Sequence, residues 1–398
     1  MVIKLKTIED CSFRGKNVLV RVDLNVPMEG GKVTDDTRIR AHLDTLDILR
    51  RGGARVALAS HLGRPKGKVA ADLSLFPVSQ ALGALLGFEV HFCEDCVGEK
   101  VSARVSSMGD GDVCLLENLR FYPGEEANDP VFAGELADPF DLFVMDAFSA
   151  AHRAHASTVG VTRFLPSCAG KLMEREVTVL SRVMEDPRKP MVIILGGAKV
   201  SDKIGFIRSM LEKGDVMLIG GAMAFPFLKA TGKSIGSSFC EKGTEAIAAE
   251  ILETAKRTCI KIILPVDLLT PGGEGDGSKT EMVRADSIPE GSKGLDIGPE
   301  TVALFIDEIQ RAWTILWNGP LGLFERKPFG EGTRLVGLSV ADKTAEGAVS
   351  VLGGGDTAAA ANMLEFAQGI SHISTGGGST LEFFEKKGLP GITPLLMP

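Results

Sequence analysis

Histidine, arginine and aspartate follow three apolar runs in the first half of the chain, in a pattern that could hold an anion. The segment DAFSAAHRAHAS, residues 146–157, follows the mainly apolar residues 140–145. Residues 58–65, LASHLGRP, and residues 21–27, RVDLNVP, have the same organisation. Ligands of α/β proteins bind at the carboxyl ends of parallel strands. The pattern therefore predicts a site for a small, multiply charged anion.

The second half of the chain carries glycines after its apolar runs. Five such segments are LGGAKVSDK (195–203), IGGA (219–222), WNGPLGLFE (317–325), GGGDT (353–357) and STGGGST (374–380). Glycine allows close backbone approach, and a helix start offers unpaired N–H groups to phosphate. Any one glycine pair is best explained as a tight turn, but all five together predict a nucleotide site. Lys199 and Lys203 are spaced so that both can lie on one face of a helix start.

The predicted nucleotide site is not a P-loop, because the sequence contains no G-x-x-x-x-G-K-[ST] motif. Asp356 lies beside glycines at a predicted helix start and has two compatible interpretations, a Mg²⁺ ligand and an N-cap residue. The residues alone do not separate them. An anion site combined with a nucleotide–Mg²⁺ site implies phosphoryl transfer, in which Arg38, Lys203 and the helix start at Gly376, Gly377 and Gly378 would neutralise charge.

Short runs rich in valine, isoleucine and leucine alternate with helical segments along the whole chain, as is typical of parallel strands covered by helices on both faces. The predicted strands are 18–23, 56–60, 113–116, 142–146, 191–195, 216–219, 260–265, 314–317, 349–352 and 372–374. Predicted helices include 37–51, 77–86, 204–212, 245–257 and 299–310. The predicted fold class is α/β, with two doubly wound, Rossmann-like parallel sheets.

The length of 398 residues is too great for one ordinary core, so two domains are expected. A predicted hinge helix, 169–184, is followed by EDPRKP (185–190), whose prolines and charges break regular structure. We expect an N-terminal domain at 1–168 and a C-terminal domain at 185–381. The glycine-rich segment 271–278 is predicted to be an exposed loop within the second domain.

Composition excludes several other classes of protein. The net charge of −8 and the singly spaced arginines do not suit a nucleic-acid partner. No apolar run is long enough to span a bilayer, and the first residues lack a signal-peptide core, so we expect a cytoplasmic protein. Seven scattered cysteines do not form a disulfide framework. Cys93 and Cys96 have C-x-x-C spacing, but acidic residues fill the gap, and we interpret both as reduced thiols.

Eight segments together resemble the phosphoglycerate kinase family, in that family's order and over nearly the whole chain. They are VRVDLNVP (20–27), SHLGRP (60–65), LENLRF (116–121), AHRAHAS (151–157), GGAKVSDK (196–203), WNGP (317–320), GGGDT (353–357) and STGGGST (374–380). The resemblance implies reversible phosphoryl transfer from 1,3-bisphosphoglycerate to ADP, giving 3-phosphoglycerate and ATP. It also implies Mg²⁺, small-molecule substrates and a monomer, with no nucleic-acid or membrane partner.

The resemblance assigns the substrate to the first domain. Asp23 and Asn25 would hold the hydroxyl and carboxyl region of 3-phosphoglycerate, and Arg38 would bridge the substrate and the transferring phosphoryl group. The phosphate end would be bound by the segment of His61, Leu62, Gly63 and Arg64 together with Arg120 and Arg153. A C-terminal tail, 382–398, would pack back on this domain.

The resemblance assigns the nucleotide to the second domain. Lys199 and Lys203 would contact its phosphates, as would Gly354, Gly355 and Thr357. Gly197, Gly220 and Gly221 would line the base pocket. Asn318 and Pro320 would contact the nucleotide, Glu325 its ribose, and Asp356 the metal ion.

The chain departs from the usual family sequence FGTAHR at Ser149 and Ala150, which replace glycine and threonine. Neither position supplies the main charge, so we expect activity to persist, although the effect on the loop is open. Arg21 and His155 are better interpreted as structural supports than as ligands, and Glu174, Arg175 and Glu176 as a solvated helix face. A noncatalytic two-domain anion receptor is the alternative function, but it leaves Lys203, Asp356 and the glycines unexplained.

Overall fold

The computed structural model describes residues 3–272, 279–386 and 388–397. Most of the predicted loop at 271–278 lies outside this range. The chain forms two compact units, Met1–Ser181 with Lys386–Pro398, and Arg182–Glu385. No helix within the described residues is long and apolar enough to cross a bilayer.

The first unit is built on a six-stranded parallel sheet. Its strands are β1 (Asn17–Arg21), β2 (Arg55–Ala59), β3 (His91–Cys93), β4 (Val113–Leu116), β5 (Leu142–Met145) and β6 (Ser167–Ala169). Their order across the sheet is β3-β4-β2-β1-β5-β6. Because both faces are covered, the central strands are apolar and buried throughout, as in Val18–Val20 and Leu142–Met145.

Helices surround this sheet, and a short hairpin joins Met28–Glu29 to Lys32–Val33. The helices are α1 (Thr37–Arg40), α2 (Leu43–Arg51), α3 (Phe76–Leu86), α4 (Glu99–Ser106), α5 (Pro123–Glu126), α6 (Pro130–Ala137) and α7 (Lys171–Glu185). The C-terminal tail pairs with the N-terminal segment of the same unit: Lys6 N–H donates to Leu395 O at 2.8 Å, and Met397 N–H donates to Lys4 O at 2.9 Å.

The second unit contains another six-stranded parallel sheet. Its strands are β7 (Met191–Leu195), β8 (Val216–Ile219), β9 (Lys261–Ile263), β10 (Thr314–Asn318), β11 (Val349–Gly353) and β12 (His372–Ile373), in the order β9-β8-β7-β10-β11-β12. This is the 3-2-1-4-5-6 order of dinucleotide-binding folds. The chain leaves the neighbouring strands β7 and β10 in opposite directions, which creates a crevice at their carboxyl ends.

The helices of the second unit are α8 (Ile204–Leu211), α9 (Ala224–Ala230), α10 (Thr244–Thr258), α11 (Pro299–Ile309), α12 (Glu331–Ala345), α13 (Gly355–Met363) and α14 (Gly378–Glu385). Two small sheets lie beside them. One joins Asp267–Pro271 to Thr280–Arg284 and Asp296–Ile297, and the other pairs Ser234–Ile235 with Ser287–Ile288. The core packs Trp317 flat on Phe366, with ring centroids 5.5 Å apart.

The predicted α/β class with two doubly wound parallel sheets is confirmed, with differences in detail. The predicted helix 37–51 is interrupted at Ala41 and His42. Strands β3 and β6 were not predicted, because three-residue edge strands carry little periodic signal. The predicted hinge helix begins at Lys171 rather than 169, since Ala169 belongs to β6, and the division between the units falls inside this helix. Residues 382–385 belong to α14 of the second unit and not to the tail.

We expect Phe305→Ala to destabilise the protein by about 3–5 kcal/mol, because Phe305 is fully buried in the core of the second unit and its loss would leave a cavity. Its neighbour on the same helix, Leu304, is 42% exposed, and Leu304→Ala should cost less than about 1 kcal/mol. Urea unfolding of the two variants measures the difference. Equal midpoints would contradict the described packing of α11.

Candidate functional site

Asp23, just beyond β1, is the centre of a polar cluster in the first unit. Its Oδ2 accepts hydrogen bonds from Arg38 Nη1 at 2.7 Å and from the Ser149 hydroxyl, and its Oδ1 accepts the Asn25 N–H at 3.1 Å. Burial alone would raise the pKa of Asp23, but His61, Arg38 and the hydrogen bond from Ser149 together lower it. The carboxylate is therefore held ionised. The family departure at Ser149 thus adds a direct contact to a predicted substrate residue.

Side chains of neighbouring loops hold the backbone of the loop after β2 by hydrogen bonds. Gly63 N–H donates to Asn25 Oδ1 at 2.9 Å, and Gly63 O accepts a hydrogen bond from Arg120 Nη1 at 2.8 Å. Gly63 has a φ of +61°, and a Cβ there would lie 2.7 Å from Leu73 Cδ2, so a side chain is excluded. Leu62 is buried, and its N–H and C=O are both bonded to the side chain of Asn118. The N–H and C=O groups of Leu62 and Gly63 are therefore satisfied within the protein, and these two residues shape the loop.

Four cationic or basic side chains repel one another at this edge of the sheet: Arg21, His61, Arg120 and Arg153. Burial and Arg21 hold the pKa of His61 well below its usual value. Burial also lowers the pKa of Arg120, where Glu126 opposes the shift and Arg153 and Arg21 add to it. Since the three arginines disfavour one another's charge and keep His61 from gaining one, a bound anion would relieve the repulsion. The geometry suits a phosphate or carboxylate group.

Arg21 sets the tautomer of His61. Its Nη2 lies 3.2 Å from His61 Nδ1, and because a guanidinium can only donate, Nδ1 accepts and the ring proton resides on Nε2. Arg21 Nε also donates to Ser157 Oγ at 2.8 Å, and Ser157 Oγ donates to Glu125 Oε1 at 2.6 Å. His155 lies 3.6 Å from the same carboxylate. Arg21 and His155 thus occupy supporting positions around buried Glu125.

The remaining predicted cations of the first unit are more exposed. The Arg38 side chain is 43% exposed even though it contacts Asp23. Arg153 Nε donates to His152 at 3.2 Å. Arg64 is exposed and has no hydrogen-bond partner among the described residues. Its guanidinium therefore remains available for a ligand, but its own position is not fixed by the protein.

In the second unit, two glycine-bearing loops meet at the crevice between β7 and β10. Gly196 N–H donates to Asn318 O at 3.0 Å, and Gly197 N–H donates to Pro320 O at 2.7 Å. A Cβ on Gly196 would lie 2.1 Å from Pro320 O, so no larger residue fits. The close approach of these loops is the physical reason for the glycine pair that follows β7.

Lys203 is anchored beneath these loops. Its Nζ donates to Gly196 O at 2.7 Å and to Asn318 O at 3.2 Å. Burial lowers the pKa of Lys203 to about 8, although Asp356 and Asp202 partly offset the shift. Lys199 is exposed. The two lysines therefore differ in environment despite their shared spacing.

Two adjoining cavities contain most of the predicted nucleotide residues. The first, of about 270 Å³, has walls formed by Gly221, Phe225, Leu268, Leu321 and Glu325. The second, of about 420 Å³, is lined by Lys199, Lys203, Asn318, Gly354, Gly355, Asp356, Thr357, Gly377 and Gly378. Gly197, Pro320 and Asp356 border both. The first cavity is mainly apolar, whereas the second carries Lys199 and Lys203 together with Asp202 and Asp356, an arrangement that suits a nucleoside joined to phosphates and a cation.

Gly220 and Gly376 are buried and line neither cavity. Thr357 lines the second cavity, but its hydroxyl donates to Gly353 O at 2.8 Å and accepts the Gly319 N–H at 2.7 Å, so its one donor is used by the backbone. Asp356 is exposed in the first turn of α13, whose N-cap position is occupied by Gly354, so the interpretation of Asp356 as the N-cap residue is wrong. The N-terminal N–H groups of α13 remain available to an anion.

Sequence reasoning did not identify the apolar walls at Phe225, Leu268 and Leu321, because buried apolar residues resemble ordinary core. It also did not identify His42, whose ring contacts both Asp23 N–H and Asp146. Cys93 and Cys96 are free, and burial raises the pKa of both thiols. The described residues contain no cluster of three or more His, Cys, Asp and Glu that could hold a metal.

A family model described as phosphoglycerate kinase matches residues 8–387. The chain belongs to the phosphoglycerate kinase family. A solved phosphoglycerate kinase from Coxiella burnetii is 39% identical, with a TM-score of 0.88 over 98% of this chain and 99% of that one. A phosphoglycerate kinase from Pyrococcus horikoshii OT3 is 32% identical, with a TM-score of 0.81 over 98% of each chain.

Membership of the phosphoglycerate kinase family makes the chain an ATP-dependent phosphotransferase of glycolysis that acts on 3-phosphoglycerate, with ATP or ADP and Mg²⁺. The alternative of a noncatalytic anion receptor is not favoured. These similarities do not assign the roles of the individual site residues.

We expect Lys203→Met to be more stable than the wild type at pH 7, with an advantage that shrinks by about 2 kcal/mol between pH 7 and pH 10. The pKa of Lys203 is about 8 in the folded protein and lower than in the unfolded chain. Below pH 8 both states carry the proton, and the folded state bears the full cost of burying it. At higher pH the folded state binds fewer protons, so wild-type stability rises. Urea unfolding at both pH values measures this.

Lys199→Met is the matched control for this measurement, because Lys199 is exposed and four residues away. Its stability relative to the wild type should not change over the same pH range. A pH-independent difference for Lys203→Met would show that the buried ammonium is not the cause.

Proposed function

We propose that the polar cluster of the first unit binds 3-phosphoglycerate. The observation that carries this proposal is the convergence of side chains from four separate loops, after β1, β2, β4 and β5, on one edge of the sheet. Asp23 and Asn25 provide polar groups for the hydroxyl and carboxyl region. His61, Arg64, Arg120 and Arg153 provide donors for the phosphate, whereas Leu62 and Gly63 shape the loop, since their N–H groups are already bonded to Asn118 and Asn25. The mutual repulsion of Arg21, Arg120 and Arg153 supports an anionic ligand.

The two cavities of the second unit bind the nucleotide. The apolar cavity accepts the base, with Gly197, Gly220 and Gly221 at or beneath its floor and Glu325 near the ribose. The second cavity accepts the phosphates, with Lys199, Lys203 and the first turn of α13. Pro320 borders both cavities, and Asn318 lines the second. The volumes and the change from apolar walls to walls that carry both lysines support this order.

The metal ion fits the donor set of the second cavity. Magnesium keeps several waters and takes few protein carboxylates, usually together with substrate phosphates. Asp356 is exposed and borders both cavities, so it would hold the ion beside the phosphates. When bound, Mg²⁺ would neutralise phosphate charge. Asp356 would hold the ion together with the phosphates, so the site would not require the larger acidic cluster of a site made of protein ligands alone.

Catalysis would depend on positioned positive charge rather than on a general base. The attacking group of 3-phosphoglycerate is a carboxylate, which is ionised at pH 7. Arg38 and Lys203 would stabilise the charge on the transferring phosphoryl group, together with the N–H groups of Gly377 and Gly378 at the start of α14. The N–H of Gly376, the third glycine predicted for this role, is bonded to Ser374 Oγ at 3.1 Å. A phosphoglycerate-binding domain at 1–168, a hinge helix, a nucleotide-binding domain at 185–381, a monomeric state and a cytoplasmic location remain predictions from the sequence.

Arg38→Ala should lower kcat about 10³-fold in a coupled assay with 3-phosphoglycerate and MgATP, because a cation at developing phosphoryl charge would be lost. Asp23 would keep its hydrogen bonds from Ser149 and Asn25, so the fold should be maintained. Arg40→Ala is the control, since Arg40 lies on the same helix but pairs with Asp36. A kcat for Arg38→Ala within threefold of the wild type would refute this role.

Lys203→Met should lower kcat strongly, whereas Lys199→Met should mainly raise the KM for the nucleotide. A fixed, half-buried ammonium can favour the transition state, while an exposed lysine contributes to binding of ground and transition states alike. Steady-state kinetics with varied MgATP separate the two effects. If Lys203→Met changed the nucleotide KM alone, Lys203 would be a binding residue.

A further inference from the structure

A continuous line of buried hydrogen bonds runs from Asp23 to the first turn of α7. Asp23 N–H donates to His42 Nε2 at 2.9 Å, and His42 Nδ1 lies 2.8 Å from Asp146 Oδ2. The other oxygen of Asp146 accepts the N–H of Leu172 at 2.9 Å. His42 and Asp146 are 1% and 0% exposed. All of these residues lie within the first unit.

The backbone defines the protonation of the His42 ring. An amide N–H can only donate, so His42 Nε2 must be unprotonated and accept. The ring proton therefore resides on Nδ1 and is donated to Asp146. The carboxylate of Asp146 thus determines which tautomer His42 adopts, as an aspartate does for the histidine of a hydrolase triad.

His42 completes the restraints on Asp23. The two carboxylate oxygens of Asp23 are bonded to Arg38, Ser149 and Asn25 N–H. Those bonds orient the side chain, but the Arg38 side chain is 43% exposed. The bond to His42 fixes the backbone of Asp23 from the buried side, where no ligand can replace it.

We propose that His42, in the neutral Nδ1–H tautomer imposed by Asp146, is a positioning residue that holds Asp23 in place for 3-phosphoglycerate. The proposal rests on the function assigned to Asp23 above. It accounts for the interruption of the predicted helix 37–51, since His42 is the residue that precedes α2 and its ring turns inward to this line. It also gives buried Asp146 a role beyond accepting N–H groups of α7.

Asp146→Asn tests the proposal because it keeps the shape of the side chain but replaces one acceptor oxygen with a donor NH₂ group. The Asn Oδ1 can still accept the N–H groups of α7, while its Nδ2 would donate to His42 Nδ1. The ring proton would then move to Nε2. Two donors, His42 Nε2–H and Asp23 N–H, would face each other, and the hydrogen bond between them would be lost. We expect the KM for 3-phosphoglycerate to rise about 10–100-fold, as for other residues that orient a ligand-binding group. The KM for MgATP should change less than threefold.

Two further variants complete the design. His42→Ala should raise the KM for 3-phosphoglycerate similarly, and in its background Asp146→Asn should add little, since no ring remains to switch. Thr45→Ala is the matched control: Thr45 Oγ1 accepts the N–H of Lys171 at 2.8 Å, so its loss loosens the same helix start without touching His42. Its KM for 3-phosphoglycerate should stay within twofold of the wild type.

The tautomer itself is read by long-range ¹H–¹⁵N correlation spectra of histidine-labelled protein, with His42 assigned among the six histidines from the His42→Ala spectrum. The wild type should show the Nδ1–H form and Asp146→Asn the Nε2–H form. An Nε2–H wild type, an unchanged KM in Asp146→Asn and His42→Ala, or an equal effect of Thr45→Ala would each overturn the proposal.

The proposed function fails separately. If Asp23→Ala left the KM for 3-phosphoglycerate unchanged, Asp23 would not bind substrate, and the positioning role of His42 would fall with that assignment. If Asp23→Ala raised the KM but His42→Ala did not, the substrate site would stand and the role of His42 alone would be wrong.

Discussion

Repulsion between clustered cations is the constraint on which the first unit depends. Arg21 and Arg120 are buried; Arg153 adds to the lowering of the pKa of both, Arg21 lowers that of Arg120, and all three arginines lower that of His61. Two carboxylates, the fully buried Glu125 and Asp23, offset part of this positive charge. Gly63 O also accepts a hydrogen bond from Arg120. The protein thus maintains a site whose positive charge is only partly offset, in which a bound anion gains more than it would from flexible surface side chains.

In the second unit the main constraint is steric, because two backbone segments must approach each other closely. Gly196 and Pro320 approach so closely that a side chain is excluded, and Lys203 is held by the carbonyls of the same loops. Burial of that ammonium costs stability, which is consistent with the general exchange of stability for function at sites built in advance of their ligand.

The α/β fold and most of the cavity residues could be predicted from the sequence because their signals are local. Apolar runs of four or five residues define the central strands, and glycines after them define the loops. The sequence could not show that Glu176, placed on a solvated helix face, is fully buried. Nor could it show that the Thr357 hydroxyl is used by Gly353 and Gly319. Both depend on contacts between residues distant in sequence.

His42 shows the same limit most clearly. In sequence it occupies one position of an amphipathic helical segment, and its two partners lie 19 and 104 residues away. Ser149 is similar, since a serine in place of the usual glycine has no meaning until its hydroxyl is found on Asp23. Charged and glycine-rich motifs reveal the groups that meet a ligand, whereas the groups that hold them are revealed by tertiary structure.

The pairing of residues 388–397 with the N-terminal segment has a consequence for biosynthesis. The first unit is discontinuous: Leu395 and Met397 bond to Lys6 and Lys4, and Gly391 bonds to Ala151. On the ribosome these residues emerge after the whole of Arg182–Glu385. The second unit can therefore fold as an uninterrupted stretch of chain, whereas the first, although translated earlier, waits for its last segment. During elongation the unit that starts first is the unit that finishes last.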